Sequence, residues 1–281
     1  MMKAWIQRIL AALLILEGTV LIVLGRGWVL LWAKLLRRTS VEEDLRAIAR
    51  IPNWIWRSVG MAEIGLGMSL LRDAPIDPTS FYGAWTGLYS RIGVLWRDIG
   101  YHPLFYAMAQ ELGMRLRPQS SVLDLGSGTG ENLDHLLVLH LPFESYLGID
   151  ITPAMVAEAR EKFGDSSRVR FLQLDLLHDA WPKEQYDLIL ATWLLEHVAD
   201  PAHLAGHALA HLRPGGSIII VSEVYDGSLR ARLANLLWGM IGARLPDKDM
   251  YRTLPGLESL QFFDGVFAPT AMAVLSRPTA E

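Results

Sequence analysis

The stretch VLDLGSGTG, residues 122–130, decides the fold. An apolar run ends in Asp124, and Gly126, Gly128 and Gly130 follow at alternate positions. Glycines spaced this closely after a strand let a ligand approach backbone, because they adopt turns that a Cβ forbids. Beyond the loop the chain alternates between strand and helix signals. GENLDHLLVLH reads as a helix, SYLGID as a second strand and TPAMVAEAREKFG as a second helix. VRFLQLDL and YDLILATWLL are the third and fourth strands, DPAHLAGHALAHLRPGG carries the next helix, and SIIIVSEVY is the fifth strand. The tail LQFFDGVFAPTAMAVLSRP reads as two last strands in an antiparallel hairpin. This alternation predicts an α/β fold with a doubly wound, mostly parallel sheet. In such sheets ligands bind at the C-terminal ends of the strands, beside the switch in strand order.

Two familiar loops are excluded. A dinucleotide fingerprint needs a small third residue for close helix–strand packing, and Glu131 stands at that position. A phosphate-binding P-loop needs a Lys after its last glycine, and none follows. With Asp124 just before it and little positive charge nearby, the loop suits a ligand that lacks a pyrophosphate and carries its own positive charge.

VLDLGSGTG, GID, LQLDLL, YDLILATWLLEHVADP and LRPGG, in this order, resemble class I S-adenosylmethionine-dependent methyltransferases over roughly residues 118–223. Within that family the chain is similar to the ubiquinone/menaquinone and phospholipid methyltransferase branch. The resemblance implies a Rossmann-like sheet and S-adenosyl-L-methionine as cofactor. It also implies a cofactor site of Asp124, Gly126, Ser127, Gly128, Gly130, Asp150, Ile151, Asp175, Leu176 and Thr192. Gly126 and Gly128 would admit the methionine moiety and ribose, and Asp124 either accepts from the ammonium or braces the loop. Asp150, ending the second strand, would accept from both ribose hydroxyls, with Ile151 against adenine. Asp175, beside Leu176, fits acceptance from the adenine amino group.

Thr192, Trp193, Glu196 and His197 follow the fourth strand, where the methyl acceptor belongs, and Glu223 and Tyr225 follow the fifth. His197 is the candidate base, with Glu196 and Tyr225 as further catalytic candidates; a structural His capping the next helix is the competing reading. His203, His207 and His211 recur every four residues, but a metal site needs a third convergent ligand, so no metal is expected. Cysteine is absent, which excludes disulfides and thiolate metal sites.

The N-terminus is of another kind. IQRILAALLILEGTVLIVL, residues 6–24, is long enough to cross a bilayer, and WVLLWAKLL after it reads as an interfacial helix with Trp28 and Trp32 at headgroup level. NWIWRSVGMAEIGLGMSLL, residues 53–71, carries Gly60, Ala62, Gly65 and Gly67, a pattern for close helix packing in lipid. Glu17, Arg57 and Glu63 within these segments either bind a lipid-soluble ligand or pair internally. The loop 25–52 is too basic for an outside position, so membrane attachment is expected without a fixed number of spans. Residues 1–72 hold ten Lys/Arg against five Asp/Glu, whereas the remainder holds 16 against 25. A basic apolar head on an acidic body suits an anionic bilayer and excludes nucleic acid as the partner.

The expected organisation is a helical membrane-attached segment over 1–74, a linker and helical cap over 75–117, and the methyltransferase domain over 118–281. In the cap, Tyr82, Trp85, Tyr89 and Trp96 form a lid or pack the cap onto the domain. SLRARLANLLWGMIGARL, residues 228–245, is an amphipathic insertion with arginines on its polar side, a membrane-facing lid or a covering helix. The whole reads as a membrane-attached enzyme, its methyltransferase domain at the cytoplasmic face, methylating a lipid or other hydrophobic small molecule. Two readings compete: a non-catalytic or regulatory cofactor-binding protein anchored at the membrane, and a soluble methyltransferase whose head is buried against a protein. The oligomeric state is open.

Overall fold

The computed structural model describes residues 2–35, Arg46, 49–50, Asn53, 56–57, 59–60, Glu63, Gly67, Leu71, 79–80, 82–83, Thr86, 102–164, 166–265 and 268–277. Trp85, Tyr89 and Trp96 lie outside the described residues. The chain divides into two compact units, Met1–Ile76 and Asp77–Glu281.

In the first unit, α1 (Met2–Leu24) and α2 (Arg26–Leu35) meet at a bend of 108°. Gly25 makes the corner with φ +53°, and Asn53 Oδ1 accepts from Arg26 N at 2.8 Å, satisfying one of the free donors that begin α2. A Cβ on Gly60 would lie 2.4 Å from Gly18 O, and one on Gly67 would lie 2.7 Å from Ala11 O. The small residues therefore allow the backbone contact with α1 that their spacing predicts. Residues 6–24, read as long enough to cross a bilayer, do not pass by themselves: among the described residues no single helix is long and apolar enough, and α1 with α2 passes only as a bent pair.

In the second unit, α3 (His102–Arg115) leads into β1 (Ser121–Leu125), α4 (Glu131–Val138), β2 (Ser145–Asp150), α5 (Pro153–Phe163) and β3 (Val169–Gln173). There follow β4 (Tyr186–Thr192), α6 (Pro201–Ala210), β5 (Leu212–Glu223), α7 (Leu229–Trp238), β6 (Leu257–Phe263) and β7 (Thr270–Ser276). The described strands form one sheet in the order β3-β2-β1-β4-β5-β7-β6, parallel except where β7 runs antiparallel to β5 and β6. The Rossmann-like sheet and its C-terminal hairpin are as expected.

Alternate strand residues enter two different cores. Leu123, Ile189, Ile218 and Ala273 face one side with Leu204 and Ala208 of α6. Val122, Leu190, Ile219 and Val274 face the other with Leu133 of α4 and Val156 of α5. A sheet covered on both faces needs apolar residues at every position, which is why SIIIV reads as a continuous run. Leu104, Met108 and Leu112 of α3 belong to this second core, so this helix of the expected cap packs onto the sheet.

β1 lies between β2 and β4, so the strand order reverses at its C-terminal end. Leu125 is level with Ile149 on one side and Ala191 on the other, which sets Asp150 and Thr192 on either flank of the glycine loop. That crevice is where a doubly wound sheet binds ligands.

Candidate functional site

Gly126, Gly128 and Gly130 all have left-handed backbones, with φ of +67°, +54° and +87°. Their surroundings differ. A Cβ on Gly130 would come 2.5 Å from Phe163 Cε2, so this glycine lets α4 and α5 close on one another. Gly130, expected in the cofactor site, also serves this packing. A Cβ on Gly126 would meet Leu194 Cδ1 at 3.0 Å. A Cβ on Gly128 would meet only the Glu131 carboxylate at 3.4 Å, so this is the glycine that leaves open space above the loop.

Asp124 is fully buried, with one donor on each oxygen. Tyr146 Oη donates to Oδ2 in a short hydrogen bond, and Asn132 Nδ2 donates to Oδ1 at 2.9 Å. Burial pushes its carboxyl up to about 7, against the pull of those two donors. Of the two roles expected for Asp124, its full burial against Tyr146 and Asn132 favours the loop brace. Asn132 also donates to Thr192 Oγ1 at 2.9 Å, tying α4 to the end of β4. The sequence reading missed Asn132 and Tyr146, although the Asn two residues after the last glycine was the available signal.

Asp150 stands at the opposite flank. Gly128 N donates to Oδ2 at 2.9 Å and Thr152 N to Oδ1 at 2.8 Å. Burial raises its pKa despite these two donors. Each carboxylate oxygen has room for a second donor, so the group can still take two hydroxyls. Ile151 beside it is 43% exposed, an apolar surface at the rim. Ser127 Oγ is buried without a hydrogen-bond partner beneath the loop. Asp175 lies on a more exposed turn: Leu177 N donates to Oδ1 at 2.8 Å, and His178 Nδ1 is 2.8 Å from Oδ2, which holds the Asp175 carboxyl below its ordinary range. Leu176 offers its carbonyl to Trp181 Nε1 at 3.0 Å.

On the acceptor side, Trp193 adopts a left-handed backbone, φ +56°, and turns the chain out of β4 into the short helix Leu195–His197. A non-glycine residue held there stores strain of the kind found at functional sites. Glu196 is buried; Glu223 N donates to its Oε1 at 2.6 Å and its Oε2 has no partner. Burial pushes its carboxyl up to about 8, so it is largely protonated at neutral pH. Glu223 accepts in turn from Trp238 Nε1 at 2.7 Å. Burial pushes His197 down to about 4, which keeps its ring neutral. Its Nε2 lies 3.0 Å from the Tyr82 hydroxyl, and its buried Nδ1 has no partner. His197 does not cap the next helix; Asp200 does, accepting from His203 N at 2.9 Å. Tyr225 packs instead with Ala231, Ala234, Leu245 and Ala268 under α7.

His207 and His211 pack edge-on at 4.9 Å, with Trp181 against both. Among the described residues no group of three side chains is placed to hold a metal.

In α7, Ala231 and Ala234 face inward, while Leu229 and Leu233 are 74% and 54% exposed, beside the exposed Arg230 and Arg232.

Residues 123–218 match the sequence model of a methyltransferase domain. A malonyl-[acyl-carrier protein] O-methyltransferase of Paenibacillus is 32% identical over 110 residues, 37% of this chain and 39% of that protein. A hybrid PKS-NRPS synthetase of Aspergillus flavus is 30% identical over 165 residues, 57% of this chain and 4% of the synthetase. The matches thus span well under half the length of these curated relatives. An O-methyltransferase family protein from Burkholderia thailandensis superposes with a TM-score of 0.57 at 19% identity, covering 79% of this chain and 69% of that one. The N-methyltransferase NodS of Bradyrhizobium japonicum, solved with S-adenosyl-L-homocysteine, gives 0.51 at 16% identity, covering 65% of this chain and 90% of NodS. Residues 123–218 therefore carry a methyltransferase domain, for which S-adenosylmethionine is the cofactor. The residues present fit that group: open space over Gly128, an unpartnered Ser127 hydroxyl, spare acceptor capacity on Asp150 and an exposed Ile151.

Proposed function

We propose that this protein is a membrane-attached methyltransferase that methylates a lipid or other hydrophobic small molecule. The observation that carries the reading is the outer surface of the first unit. Ile9, Leu13, Leu16 and Val23 of α1 and Leu30, Leu31, Trp32 and Leu35 of α2 are all exposed. Two bent helices with so much apolar surface outward favour a bilayer surface, entered as a hairpin that need not span it. The outward leucines of α7 support the same reading for the second unit.

Bound at the glycine loop, S-adenosylmethionine supplies a methyl group already activated on a sulfonium. The chain's own part is to hold and align. Asp150 and the Gly128 backbone hold the ribose end, Asp124 keeps the loop in register through Asn132 and Tyr146, and Asp175 and Ile151 border the adenine side. Alignment of this kind supplies up to about 7–11 kcal/mol in favourable cases. His197, neutral and buried, takes a proton from the acceptor; Glu196, protonated, is a donor and not a base.

The test is incubation of the protein with methyl-labelled cofactor and a total lipid extract, followed by mass spectrometry. Label in lipid-phase products supports the reading. Label confined to water-soluble products refutes the hydrophobic acceptor, and cofactor binding without any transfer favours the non-catalytic alternative.

A further inference from the structure

Tyr82 lies 115 positions before His197, yet the two rings meet edge-on at 5.4 Å with the hydroxyl 3.0 Å from Nε2. The neighbour of Tyr82, Gly83, lies beside the start of α5. A Cβ on Gly83 would touch Thr152 and Ala154 at 4.0 Å, and Asp150 and Glu196 are close enough to act on the Tyr82 phenol. Burial, first, and those two carboxyls push the phenol well above its ordinary range, so it stays neutral. A neutral imidazole has one donor and one acceptor nitrogen, so fixing Nε2 also fixes Nδ1. If Tyr82 donated to Nε2, an N–H would be stranded at the buried, unpartnered Nδ1; if it accepts, Nδ1 keeps only a lone pair and the phenol O–H is free to turn to another acceptor.

Resting on the reading of His197 as the acceptor-side base, we propose that Tyr82 is its positioning residue. The Tyr82 oxygen accepts from Nε2–H and leaves the Nδ1 lone pair to take the acceptor's proton. The acceptor's bond to hydrogen breaks, the proton moves to Nδ1, and the electron pair stays on the acceptor atom. The resulting imidazolium keeps its Nε2–H donated to Tyr82, as the third group of a catalytic triad orients and steadies its base.

The experiment uses the full chain, labelled with ¹⁵N-histidine and held in lipid nanodiscs. The ring nitrogens of His197 are identified among the eight histidines by their loss in His197→Gln. Near neutral pH the wild type shows the Nε2–H tautomer alone. Tyr82→Phe keeps the ring contact, removes the oxygen, and is expected to give mixed tautomers. Labelled-methyl transfer to the lipid extract falls about tenfold, the lower range of what a positioned base supplies. S-adenosylmethionine affinity by calorimetry is unchanged. A wild-type Nδ1–H tautomer, or a Tyr82→Phe spectrum like the wild type, overturns the proposal and leaves the base reading intact. Full transfer by His197→Gln overturns the base reading, and the proposal with it.

Discussion

Gly128 and Gly130 lie two residues apart in the same loop, both with left-handed backbones, yet their replacement by Ala should fail in different ways. A left-handed Ala costs about 1–2 kcal/mol at either position. At Gly128 little is added, since the new methyl meets only a mobile carboxylate at 3.4 Å. At Gly130 the methyl is driven to 2.5 Å from Phe163 and 3.4 Å from Phe171, adding an overpacking cost of about 1–3 kcal/mol. Gly130→Ala is therefore expected to destabilise the unit by about 2–5 kcal/mol and Gly128→Ala by about 1–2. Cofactor affinity should run the other way. The Gly128 methyl occupies the space over the loop, and calorimetry with S-adenosylmethionine should show at least about a tenfold loss, or 1.4 kcal/mol. The folded fraction of Gly130→Ala should bind more nearly as wild type. Denaturant unfolding of both variants, paired with that titration, checks the reasoning. Equal stabilities, or a Gly128→Ala protein that binds like wild type, would refute the division into packing glycine and cradle glycine.

Three further outcomes follow from the same geometry. Asp124→Ala strands the Tyr146 hydroxyl and the Asn132 amide in the core, and should lower unfolding stability by about 2–5 kcal/mol; a loss under about 1 kcal/mol would show that the brace is not needed. Glu196 is held protonated, its pKa raised from 4.5 to about 8, so its contribution to stability is complete at low pH and is lost as pH rises through 8. Stability should therefore fall between pH 7 and about 9, beyond the range in which His197 opposes the trend, and Glu196→Gln should flatten that fall; an equal slope in both proteins counts against the buried carboxyl. Alkaline carbonate should leave the full chain in the membrane fraction, whereas a variant with Leu13, Leu16 and Val23 replaced by Asp should be released; release of the wild type would indicate a protein partner in place of lipid.

The alternation of strand and helix was legible because a sheet covered on both faces writes itself as short apolar runs between amphipathic ones. The glycine loop and Asp150 were legible because backbone geometry and strand ends are local properties. What stayed hidden depends on distant residues. Whether Asp124 faces a ligand or the core was undecided until Tyr146 and Asn132 converged on it. Gly130 resembled its neighbours until Phe163, on the next helix, appeared behind it. Tyr82 was read as an aromatic of the cap, and no local signal pairs it with a histidine 115 residues away. Lid or covering helix could not be decided for α7 from its pattern, because that depends on which face turns inward; the structure buries Ala231 and Ala234 against Leu245 and Ala268.

An S-adenosylmethionine site at the end of β1 that depends on Asp150 is read out by isothermal titration of the full chain with that compound, beside the Asp150→Ala variant. The wild type is expected to bind one equivalent per chain. The variant is expected to bind on the order of 100-fold more weakly, as two hydrogen bonds to a charged acceptor are removed. Absence of binding by the wild type, or equal affinity in the two proteins, would contradict that assignment.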